Sequence, residues 1–160
     1  MNTQTTAPLS LSQPPLPQPL VIFGLAGLVP QALCLGLVVS GGPDRWFGLA
    51  AGCCYAALIL SFLGGLWWMA GLLTGLRSSW VYAAAVTPSL IGWAALLPWC
   101  FGAAWPGPSL VILGLALLAS PLVDRALAQK IILPAGWLRL RVIMATGLGV
   151  MTLLMAGCLI

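Results

Sequence analysis

The chain has 160 residues; 61% are hydrophobic and only 5% are charged, with six Lys or Arg, two acidic side chains and no His. An ordinary soluble domain is about a quarter charged, so this composition argues against a water-soluble enzyme, an RNA-binding module and a disordered regulator. With a mean hydropathy of +1.10, the chain reads as an all-α, polytopic integral membrane protein.

A helix that crosses a hydrocarbon core needs about 20 apolar residues, which leaves room for roughly five spans in one bundle. Residues 1–19 are polar, rich in proline and uncharged. Closely spaced prolines break helices, so this segment is expected to be a disordered tail. It has neither the basic region of a secretory signal nor the arginines of a mitochondrial presequence. The transmembrane domain is then 20–160.

The first span is expected over about 20–39, with Pro30 and Gln31 near its middle. A loop rich in glycine, Ser40 to Arg45, follows. The second apolar run, 46–76, would be about 46 Å long as a straight helix, against a core of about 30 Å. A break is expected at Gly64-Gly65, with Trp67 and Trp68 as interface anchors. The third span is about 80–101 and contains Pro88 and Pro98. The fourth is about 109–123, after the uncharged loop Trp105 to Pro108, and continues as helix toward Lys130, with a kink at Pro121. Leu133-Pro134-Ala135-Gly136 interrupts the chain before the fifth span, about 142–160.

Five spans put Arg77, Arg125, Lys130, Arg139 and Arg141 on the side of the N-terminal tail, and Arg45 alone on the other. The positive-inside rule then predicts a cytoplasmic N-terminus and an external C-terminus in a bacterial inner membrane. The small basic excess belongs to topology, and no nucleic-acid partner is expected.

Chemistry has few candidates. The absence of His excludes a Cys/His zinc site and imidazole-bound haem. The five cysteines lie in apolar stretches, where they act as small packing residues. Asp44 and Asp124 fall at span ends, so no carboxylate is expected at depth for a proton relay. No cofactor, metal or catalytic residue is expected.

Three polar features stand out. Ser61, at the centre of the second run, and Pro88-Ser89, in the third span, are expected to meet near mid-depth. Ser and Gly serve close helix packing, while a polar pocket at a broken helix is how transporters build sites. Gly48-x-x-x-Gly52 and Gly71-x-x-x-Gly75 also fit close packing. At the end of the fourth span, Asp124 is expected to pair across the hairpin with Arg139 or Arg141. These two lie about 200° apart on a helix and cannot both face it. Trp137 and the second arginine then serve as interface anchors.

The blocks Ser61-Phe62-Leu63-Gly64-Gly65, Thr87-Pro88-Ser89, Asp124-Arg125 and Leu133-Pro134-Ala135-Gly136-Trp137-Leu138-Arg139-Leu140-Arg141 resemble the transmembrane-protein-69-like family of multi-pass proteins. The resemblance runs over about 20–160. Ser61, Gly64, Gly65, Trp68, Pro88, Ser89, Asp124, Arg139 and Arg141 match its motifs. Family members often carry an ionisable residue where this chain has Trp67. The family is classed as a domain of unknown function, so the resemblance implies fold and location, not activity.

The expected function is that of a non-enzymatic accessory or structural membrane protein. Its partners are the lipid bilayer and either further copies of itself or a larger membrane complex. The alternative is a small transporter or lipid-handling protein with a polar site between the second and third helices.

Overall fold

A computed structural model describes residues 16–103 and 106–159. The predicted tail therefore falls mostly outside the described residues, as do Trp105 of the loop before the fourth span and Ile160. Among the described residues the fold is all-helical, 81% helix, and five helical segments are long and apolar enough to span a membrane. The elements are α1 (Gln18–Ala26), α2 (Val29–Ser40), α3 (Arg45–Leu73), α4 (Ser79–Cys100), α5 (Gly107–Ala128) and α6 (Trp137–Gly157). α3 is the hub, packed on α2 and α4, and α5 and α6 form a second hairpin against it.

The first predicted span is two helices joined at Gly27-Leu28. Proline is the reason. Pro30 has no N–H to offer the carbonyl of Ala26 four residues back, and its ring crowds that position. α1 ends at Ala26, and Pro30 sits in the first turn of α2, where the missing N–H is harmless. The Tyr55 hydroxyl, from α3, donates to the Gly27 carbonyl at 2.6 Å. α1 also begins at Gln18, two residues inside the predicted tail.

The break predicted at Gly64-Gly65 is absent: α3 runs unbroken for 29 residues. Gly64 has a different use. A Cβ there would collide with the Ala85 carbonyl oxygen of α4, so the bare backbone lets the two helices approach. α3 stops at Leu73, three residues short of the predicted end, and Gly75 turns the chain with φ +65°. α4 matches its predicted span within a residue at each end. α5 continues through Pro121 to Ala128 as expected, and the Ser120 hydroxyl donates at 2.8 Å to the Leu117 carbonyl, four residues before that proline. α6 begins five residues before the predicted 142, so Trp137, Arg139 and Arg141 are helical.

The core is a leucine seam through the bundle, including Leu49, Leu60, Leu110, Leu113 and Leu117, closed by Met155 of α6. Gly114 and Gly149 face each other between α5 and α6, each placed so that a Cβ would lie 3.0–3.2 Å from the other's carbonyl oxygen. Such contacts give van der Waals packing without a hydrophobic driving force, as helix association in lipid requires. Phe23, Phe47, Phe62, Leu73 and Ile132 point outward, which suits a bilayer and not water.

Candidate functional site

The densest polar cluster joins three helices. Arg141 Nε of α6 donates to Asp124 Oδ2 of α5 at 2.9 Å, and Trp67 Nε1 of α3 donates to Asp124 Oδ1 at 2.8 Å. Asp124 and Arg141 are each 4% exposed, and Trp67 is as deeply buried. Asp124 lies four residues before the end of α5 and Arg141 four after the start of α6, each about 6 Å in from its helix end at 1.5 Å per residue. Both carboxylate oxygens therefore have a donor. The guanidinium does not use all of its donors: Arg141 Nη2 is buried and has no partner.

Of the two arginines considered for Asp124, the structure brings Arg141 to it, and Arg139 points outward and is exposed. Trp137 is half-buried beside the cluster, lining a 100 Å³ cavity with Asp124, Trp67 and Leu133. Trp67 departs from its expected role. It is no interface anchor but a buried donor to a carboxylate, while its neighbour Trp68 is 44% exposed and meets Tyr82 edge to face at 5.2 Å.

Ser61 and Ser89 do come together, with Oγ atoms 2.9 Å apart. They bond across α3 and α4 at the outer surface: Ser61 is exposed and Ser89 half-buried. Pro88, by contrast, is buried, and Gly65 faces outward. The cavity beside them, about 330 Å³, is lined by Leu60, Trp67, Thr87, Pro88, Ser120 and apolar neighbours, and neither serine lines it. Of the small-residue motifs, Gly48 and Gly52 pack against α2 and Met155, and Gly71 against Val81, whereas Gly75 makes the turn.

A second buried polar group was not anticipated. Gln31 Nε2 donates to Thr152 Oγ1 at 2.9 Å and lies 3.6 Å from Met155 Sδ, tying α2 to α6, while its Oε1 is buried without a partner. An amide inside an apolar span was the available signal. Arg45 Nη2, at the start of α3, bonds the Cys158 carbonyl at the end of α6. At the opposite end, Lys130 lies over the Trp80 ring, 5.2 Å from its centroid.

These contacts define a small all-helical bundle of span-length helices, locked at one end by a buried ion pair. The chain belongs to the family described as protein of unknown function DUF3429, whose model matches residues 16–157. No curated relative and no solved structure matches it.

Proposed function

We propose that this is a non-enzymatic accessory or structural protein of a bacterial cytoplasmic membrane. It crosses the membrane five times, with its N-terminus in the cytoplasm and its C-terminus outside. Trp67–Asp124–Arg141 carries this reading. The two charges buried in the bundle are bonded to each other and to an indole from a third helix. They hold helices together, and the other carboxylate, Asp44, is exposed in a loop. Ion-coupled pumps instead keep carboxylates or imidazoles available at depth. The orientation rests on the exposed Arg77, Arg125, Lys130 and Arg139 at the Trp80 end, against Arg45 at the other. We read the family as transmembrane-protein-69-like on the strength of the Ser61–Gly65 and Leu133–Arg141 blocks.

The test is purification of a tagged copy from its native membrane after mild crosslinking, followed by mass spectrometry. A stoichiometric foreign membrane protein supports the accessory role. A lone copy or a homo-oligomer carrying a water-soluble solute contradicts it and favours the second reading, a small transporter or lipid-handling protein. The 330 Å³ apolar cavity beside Pro88 is the observation in favour of that second reading.

A further inference from the structure

Two adjoining cavities, of about 320 and 250 Å³, lie between α1, α3 and α6. They share Leu20, Gly24, Phe62, Arg141 and Met144, and so form one cleft. Its rim is at the outer face, where Leu20, Phe23 and Phe62 are exposed. α1, which covers one side, has no buried residue. Arg141 is the only charged side chain lining either cavity, and the same guanidinium has the buried, partnerless Nη2. From Arg141 the apolar lining runs inward along α6 to Leu148, about 10 Å at helical rise.

An unpaired guanidinium N–H in an apolar medium is costly. Water is a poor remedy, because a buried water needs two to four polar partners. Besides Arg141 the cleft is lined by one side chain with an N–H or O–H group, Trp137, and its indole donates without accepting, which leaves the water's own hydrogens unpaired. The acceptor has to arrive on a molecule that also fills apolar space.

We propose that the cleft seats one phospholipid of the surrounding bilayer, with a head-region phosphate oxygen accepting from Arg141 and an acyl chain lying along α6 between Phe23, Ile59 and Leu148. Arg141 is one turn in from the start of α6, at the end of the bundle where Arg139 is exposed. Lipid phosphates lie near the ends of membrane-spanning helices, and basic residues nearby favour an anionic lipid. α1 acts as the side wall past which the chain enters. This seat is independent of any protein partner, so either finding can fail without the other.

The experiment is native mass spectrometry of the full-length protein, purified in mild detergent and stripped by graded delipidation. Wild type is expected to retain one phospholipid after the others are lost. Gly24→Leu fills the cleft where a Cβ already meets Met144 Sδ at 3.2 Å and leaves the ion pair intact. The Asp124→Asn/Arg141→Gln double variant removes the charged donor and its partner together. The double variant is expected to lower occupancy about tenfold or more, the worth of a hydrogen bond to a charged group, and Gly24→Leu to lower it by filling the space of the acyl chain. Equal retention by wild type and Gly24→Leu would overturn the proposal, as would a wild type that carries no lipid. A bound free fatty acid or water-soluble solute in place of a phospholipid would overturn it as well.

Discussion

The indole N–H of Trp67 meets Asp124 Oδ1 at 2.8 Å, on the carboxylate oxygen that Arg141 Nε does not use. A neutral donor therefore completes a buried ion pair. The consequence is electrostatic. A second cation there would leave excess charge in an apolar bundle, whereas indole supplies the hydrogen bond with no charge to desolvate.

Trp67→Phe keeps most of the ring and deletes this donor. Hydrogen bonds to charged groups are worth about 1.5–3 kcal/mol, so a loss of that size is expected in detergent unfolding measurements. Trp68→Phe, at the half-exposed neighbour, should stay within about 0.5 kcal/mol. Equal effects at the two positions would argue against the bond.

Gly64 and Gly65 are adjacent in sequence and opposite in environment. Gly64→Leu forces a side chain into the Ala85 carbonyl of α4, and overpacking of this kind costs about 1–3 kcal/mol or more. At Gly65 a Cβ meets nothing within 4 Å, and Gly65→Ala should be tolerated or mildly stabilising by helix propensity. Thermal midpoints of the two variants measure the difference directly.

Ser61 and Ser89 share a hydrogen bond at the outer face of the bundle and line none of the cavities described above. Interhelical bonds of this sort average about 0.6 kcal/mol in a membrane protein, so Ser61→Ala should have a small effect on stability. In a cysteine-free background, Ser61→Cys should react poorly with a membrane-impermeant thiol reagent and well with a lipid-soluble one. Rapid reaction with the impermeant reagent would point to a water-filled site and to the transporter reading.

Much of the architecture was legible because apolar length is what a bilayer selects. α4 could be bounded to a residue, and the continuation of α5 beyond Pro121 could be anticipated. The misses have local causes. Pro30 breaks the first span because the Ala26 carbonyl loses its donor, and one Tyr55 hydroxyl makes the break tolerable by taking the next carbonyl. Gly64-Gly65 does not break α3, because the packing of α4 against Gly64 outweighs the low helix propensity of the pair. Propensity is a weak prior where tertiary contacts compete. At the site, the alternation of Arg139 and Arg141 around the helix showed that only one could face Asp124, but not which. That choice depends on the rotation of α6, set by Gly114 against Gly149 and by Met155 in the core. The roles of Trp67 and Gln31 were hidden for the same reason: each finds its partner on a helix distant in sequence.

The account rests on the buried charges being a structural lock. The direct test is a double-mutant cycle on Asp124→Asn and Arg141→Gln, with Arg139→Gln as the control, read as unfolding free energy in detergent. Breaking a buried pair from one side costs about 3–5 kcal/mol, because an uncompensated charge remains. The account predicts that each single variant is strongly destabilised, that the double variant recovers much of the loss, and that Arg139→Gln is nearly silent and additive with Asp124→Asn. Additive losses for Asp124 and Arg141, or a cycle in which Arg139 couples to Asp124 as strongly, would contradict it.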